Sequence, residues 1–188
     1  MKIHRSLSLA CALCVAQSIA HAATDTIATI PQLDLQRYMG PWFVIASIPT
    51  AFEKNGYAQV ESYRLDPDGT IAATFTLRKG SFDGPFKTMH PHGFVLDSSQ
   101  ANWGMRVIWP IKSEYRISYI NDAYSQVIVG RSKRDHVWIM ARTPTLPDAD
   151  YKKLVDRVSS LGYDTALLWK VPQRDVATAG PNAVASPR

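Results

Sequence analysis

Between Trp42 and Arg142 the chain breaks into short segments rich in Val, Ile, Thr, Tyr, Phe and Trp, cut by turn residues at fairly regular intervals. That pattern is the signature of an all-β sandwich or barrel. Eight strands are predicted, at Trp42–Ser47, Tyr57–Leu65, Thr70–Lys79, Phe86–Leu96, Trp103–Trp109, Glu114–Ile120, Ser125–Arg131 and His136–Arg142. Asp66-Pro67-Asp68-Gly69 presets one turn, because Pro fixes φ and Gly tolerates positive φ, and Arg134-Asp135 marks the corner of another hairpin. Within the third segment Ile71, Ala73, Phe75 and Leu77 alternate with Thr70, Ala72, Thr74 and Thr76, the period of a sheet with two unlike faces. Neither face is strongly charged, where a sandwich would show a plainly charged outer face, and this leaves room for a lined interior.

After Arg142 the period changes. Tyr151, Leu154, Val155, Val158 and Leu161 form one stripe of a helix, expected to pack on the sheet. Thr145 and Asp148 have capping-box spacing, Pro147 suits the first turn, and Gly162 is a suitable stop. One further short strand is expected at Leu167–Val171. The Ala-, Pro- and Gly-rich residues 173–188 lack the apolar content to be ordered, and form a disordered tail in this reading.

At the other end, Lys2 and Arg5 precede the apolar run Leu7–Ile19 and then Ala20-His21-Ala22, a small-x-small cleavage signal. Residues 1–22 therefore read as a secretory signal peptide, with 23–32 as an N-terminal extension. The implied destination is the periplasm. Both cysteines, Cys11 and Cys14, lie inside this leader, so the mature chain has no thiol chemistry. Lipoprotein-type cleavage is disfavoured, because the apolar run before Cys11 is too short and Leu13 is bulky where a small residue is wanted. The formal charge of +5 includes Lys2 and Arg5, and the weak remainder argues against nucleic acid as a partner.

Three stretches together carry a resemblance to a known family. Leu35-Gln36-Arg37-Tyr38-Met39-Gly40-Pro41-Trp42-Phe43-Val44-Ile45-Ala46 resembles the Gly-x-Trp block of the lipocalins. Asn121-Asp122-Ala123-Tyr124 sits where their Thr-Asp-Tyr loop would be, and Val137-Trp138-Ile139-Met140-Ala141-Arg142-Thr143-Pro144 is similar to their Arg block. Within the family the chain looks most like the branch of the bacterial outer-membrane lipocalin, the plant temperature-induced lipocalin and apolipoprotein D. It departs in reading Trp42-Phe43-Val44 where Trp-Tyr-Glu is usual, and in matching the Thr-Asp-Tyr loop only loosely.

The resemblance implies an eight-stranded antiparallel up-and-down β-barrel over residues 33–172, with one C-terminal amphipathic α-helix packed outside and a short extra strand. Trp42 would close the base under the Arg142 guanidinium, a cation–π contact, and Gly40 would let the backbone turn into the first strand. The cavity such small barrels can enclose is likewise an implication of the family. With Arg142 inward, alternation puts Met140 and Trp138 on the same side. Phe75 and Trp109 are further lining candidates, and Val95 and Tyr119 depend on strand register. Arg116 would face inward only in the opposite register. The function so implied is binding, transport or storage of a small hydrophobic ligand, a fatty acid or lysophospholipid, in the cell envelope, with peripheral membrane contact left open.

Two other classes compete. An enzyme would need an activated nucleophile, and no Gly-x-Ser-x-Gly segment is present. His90-Pro91-His92 is the nearest approach to a metal site and lacks a third ligand at recognisable spacing, so no cofactor or metal is expected. A ligand-free structural protein with a filled barrel is the third class.

Overall fold

The computed structural model describes residues 26–174, except residue 109. The leader at 1–22, most of the tail and Trp109 therefore lie outside the described residues. A four-residue helix, α1 (Leu35–Tyr38), opens the domain. The strands follow as β1 (Gly40–Ile48), β2 (Gly56–Leu65), β3 (Ile71–Lys79), β4 (Phe86–Met89), β5 (His92–Val95), β6 (Asn102–Ile108), β7 (Ile111–Ile120), β8 (Gln126–Gly130) and β9 (Val137–Ala141). The last elements of the described residues are α2 (Asp148–Ser160), a short 3-10 turn (Thr165–Leu167) and the short strand β10 (Trp169–Lys170).

Neighbours in sequence pair antiparallel, and β9 returns to β1, so the sheet closes on itself. β4 and β5 are two halves of the single strand expected at Phe86–Leu96. Pro91 separates them because it has no N–H to donate, while its carbonyl still accepts from Ala73 N at 3.0 Å. Counted this way the barrel has eight strands. The Asp66–Gly69 turn forms as expected, with Gly69 at φ +81° and its N–H on Asp66 O.

Closure sorts the apolar residues into two layers. One fills the barrel, with Trp42, Val44, Tyr63, Phe75, Leu77, Trp103, Tyr115, Ile117, Val129 and Met140 among its members. The other lies outside, where Leu154 and Val158 of α2 cover Ile45, Ala46, Ile48, Ile128, Val137 and Ile139. The helix stripe is thus the one expected, but its cap is not. No side chain caps α2, and the Thr143 hydroxyl donates to Thr145 O instead, leaving Asp148 and Asp150 to complement the positive helix end. Gly162, at φ +86°, follows the end of the helix.

Bulges interrupt the two-residue period. One in β1 falls between Val44 and Ala46, and one in β7 falls between Ile117 and Tyr119. β10 pairs with β1 through Ala46 and Ser47, and Ala58 N donates to Pro172 O, so residues 169–172 seat between β1 and β2. Residues 26–30 of the N-terminal extension run along β7, where Ile30 N donates to Ile117 O at 3.0 Å.

Candidate ligand-binding site in the barrel interior

The closed end is built from α1, the start of β1 and Arg142. Asp34 caps α1 by accepting from Arg37 N, and Gly40 makes the turn into β1 at φ +92°. Trp42 is fully buried, with its indole N–H on Tyr38 O at 2.9 Å. The Arg142 guanidinium lies 3.7 Å from the Trp42 ring centroid. Its Nη2 donates to the carbonyls of Arg37, Tyr38 and Met39, each at 2.9 Å, and its Nη1 to Pro41 O at 2.7 Å. One planar cation thus satisfies the free carbonyls at the end of α1 while lying over an aromatic face. The loop carrying Asn121-Asp122-Ala123-Tyr124 docks on the same end, with Arg37 donating to Asp122 O and lying 4.0 Å from the Tyr124 ring centroid.

Above this floor the lower lumen is an aromatic plug. Trp103 and Tyr115 stack with centroids 4.9 Å apart and planes 6° from parallel. The Tyr115 hydroxyl shares hydrogen bonds of 2.7 Å with Tyr38 and 2.6 Å with Tyr63. Burial pushes the ionisation of all three phenols up, so they remain neutral donors and acceptors.

The upper lumen ends at the loop between Ile48 and Gly56. Glu53, on that loop, is 2% exposed and its carboxylate accepts from Trp138 Nε1 at 2.6 Å and from Thr50 N at 2.7 Å. His136 donates from Nδ1 to Ile48 O at 2.7 Å and packs edge-on against Trp138. Burial lowers the His136 pKa against the opposing pull of Glu53, which keeps the imidazole neutral. Phe52 reaches down to Phe75, at a centroid distance of 6.2 Å. The loop is therefore a latch, with its carboxylate holding an indole of β9, the strand that pairs with β1.

Of the expected lining residues, Phe75, Trp138 and Met140 face the interior, and Val95 packs there opposite Trp103. Tyr119 does not. The bulge at Ser118 turns it outward beneath Arg157 of α2, 4.2 Å from its ring centroid. Arg116 also lies outside, donating to Ile27 O at 2.7 Å. His90 and His92 gather no third ligand, and no group able to hold a metal occurs among the described residues.

The interior is not the open cup that the resemblance implied. Phe75, Leu77, Trp103, Ile117 and Met140 expose 1% or less, and a side chain bordering a void that admits water would show accessible surface. Two open hollows of about 390 and 300 Å³ lie elsewhere, beside α1 and along β6 and β7. Around Trp138 and Met89 burial is only partial, so the upper lumen is the looser part.

Sequence reasoning missed the polar side of this interior. Glu61 of β2 sits in register between Trp42 of β1 and Phe75 of β3, is 3% exposed, and has no hydrogen-bond partner among the described residues. Ser47 Oγ and Gln59 Oε1 are also buried and unpartnered. A buried polar group without a partner costs about 1–3 kcal/mol. Burial first, and then the charge of Glu53, hold the Glu61 pKa well above its ordinary value of 4.5. From that value upward the unfolded chain ionises Glu61 while the folded chain does not, so stability is lost as pH rises. Glu61→Leu should therefore stabilise the fold at neutral pH by about 1–3 kcal/mol, the cost of the unpaired group. Urea melts at several pH values check this: the gain should widen from about pH 4.5 upward.

Comparison with known proteins agrees with this architecture. The chain is 32% identical over 153 residues to temperature-induced lipocalin-1 of Arabidopsis thaliana, covering 76% of this chain and 81% of that protein. It is 24% identical over 155 residues to the outer membrane lipoprotein Blc of Vibrio cholerae, covering 80% and 88%. Insecticyanin from the tobacco hornworm Manduca sexta has the same fold, with a TM-score of 0.61 at 17% identity over 80% of this chain and 86% of that one. A family model described as a lipocalin-like domain matches residues 33–173, and the protein belongs to that family, whose small barrels can hold one small ligand.

Proposed function

We propose that the protein binds and carries a small hydrophobic ligand, a fatty acid or lysophospholipid, in the cell envelope and performs no chemistry on it. The observation that supports this most is the asymmetry of the two barrel ends. The base is locked by Trp42 and Arg142, whereas the mouth is covered by one loop, tied down by the Glu53–Trp138 hydrogen bond and by Lys79 Nζ on the carbonyls of Phe52 and Lys54. Releasing these bonds frees Phe52 and Trp138 above an interior whose Met89, Met140 and Met105 can repack around a chain. Burying the chain there supplies the binding energy, at about 25 cal/mol per Å² before ordering costs.

The rim supports the same reading. Phe86, Val107 and Ile111 are 57%, 49% and 70% exposed at the end where the latch lies, beside Lys54, Arg78, Lys87 and Lys112. Apolar side chains set among cations suit peripheral contact with an anionic membrane surface from which a lipid could be taken up. An acyl chain entering tail first leaves its carboxylate or phosphate among those cations. The signal peptide reading of residues 1–22 agrees with an envelope location.

Mass spectrometry of lipid extracted from the purified protein, together with fluorescent fatty-acid titration, tests this reading. Acyl chains should copurify, and absence of both copurified lipid and titratable binding would overturn it. Trp138→Ala removes an indole from the upper lumen together with the latch donor. It should weaken lipid binding about tenfold or more in the same titration, consistent with the loss of one buried aromatic anchor.

A further inference from the structure

Among the described residues, the buried polar side chains of this barrel differ in kind, but none carries a permanent positive charge. The buried polar and charged residues are Ser47, Glu53, Gln59, Glu61 and His136, with no lysine or arginine among them. Glu53 is committed to Trp138 and Thr50, and the Gln59 amide nitrogen to the carbonyls of Glu53 and Gly56. Glu61 is committed to nothing. It lies deeper than the latch, level with Trp42 and Phe75 in the sheet register, and its neighbours on the interior face of β2 are Gln59 and Tyr63. A buried carboxyl with both oxygens unused, in a wall of aromatic rings, is a hydrogen-bonding site awaiting a partner. The protonated form favoured by its surroundings can donate as well as accept.

We propose that Glu61 is a polar subsite inside the barrel, which pairs with a hydroxyl carried on the buried end of an otherwise apolar ligand and bars a carboxylate or phosphate from that end. The exclusion follows from charge. An anion placed beside Glu61 would be desolvated with no interior cation to meet it and with the Glu53 carboxylate nearby, whereas the cations of the mouth are outside. A chain with one anionic head therefore has one allowed direction of entry, and what reaches Glu61 is its far end. A plain methyl terminus leaves the carboxyl unpaired, whereas a terminal hydroxyl satisfies it. The subsite rests on the carrier reading above and narrows it to chains hydroxylated far from the head.

The test compares palmitate with ω-hydroxypalmitate by calorimetric titration against the full-length mature protein, Glu61→Gln and Glu61→Leu. Wild type should favour the hydroxylated chain about tenfold, as expected for one hydrogen bond that would otherwise go unmade. Glu61→Gln keeps a hydrogen-bonding end of the same size and should retain the preference. Glu61→Leu, or Glu61→Met should the leucine variant not fold, should reverse it by favouring palmitate. Equal effects of the apolar variant on both ligands, or a wild-type preference for palmitate, would overturn the subsite and leave the carrier reading standing. Failure of wild type to bind either chain would overturn both.

Discussion

Trp42→Ala should lower the free energy of unfolding by about 3–5 kcal/mol, the range for deleting a fully buried large aromatic side chain. The indole is part of the floor on which the aromatic plug rests, with Tyr38 at 5.2 Å and Arg142 at 3.7 Å between centres. Truncation leaves a hole beneath a cation, removes one of the two donors to the Tyr38 carbonyl, and loosens the seat of α1. Trp42 lies far below the latch, though beside Glu61 in the sheet register, so affinity for palmitate measured on the folded fraction should change less than in Trp138→Ala. Denaturant titration alongside ligand titration checks both halves. A variant that melts like wild type but no longer binds lipid would show that Trp42 serves the ligand and not the floor.

Arg142→Lys should destabilise by about 2–3 kcal/mol despite conserving charge, because several carbonyls would lose a charged donor. The guanidinium lies flat on Trp42 while its edge serves Arg37, Tyr38, Met39 and Pro41, and Nε reaches Tyr124 O at 3.3 Å. An ammonium has three donors on a tetrahedral nitrogen and cannot lie flat on a ring while reaching that many acceptors. A double-mutant cycle of Arg142→Met with Trp42→Leu, which remove the cation and the ring in turn, isolates the stacking component, expected at about 0.5–2 kcal/mol. A coupling near zero would mean that Arg142 acts through the carbonyls alone.

Much of this floor was anticipated through the resemblance to the lipocalins, because the stretches that carry that resemblance are short local motifs. Gly40-Pro41-Trp42 needs only a turn into a strand, and Arg142 ends a run whose alternation sets its direction. The α2 stripe and the strand segments were legible from the residues themselves. What escaped depends on register or on distant partners. A single bulged residue, Ser118, moved Tyr119 from the expected lining to the outer layer. Trp103 and Tyr115 look like ordinary strand aromatics until β6 and β7 are aligned and their rings are found stacked. Glu53 and Glu61 carry no local sign of burial, since charged residues on a loop and a strand are usually solvated. Alternation does put Glu61 on the same face as Tyr63, and that clue was available. The capping box failed for a different reason: the spacing of Thr145 and Asp148 was right, but the Thr145 carbonyl instead accepts from the Thr143 hydroxyl.

The two coverings of the sheet make the vessel lopsided. Along β1, β8 and β9 side chains are enclosed on both sides, by the plug within and by α2 without, so that flank has no direction in which to swell. Across the barrel β4 is bare to solvent and the strand is already cut at Pro91. A guest too thick for the lumen would therefore be accommodated by outward give on that unbuttressed flank, and the girth of the cargo is set by how far it yields rather than by the bore of the tube.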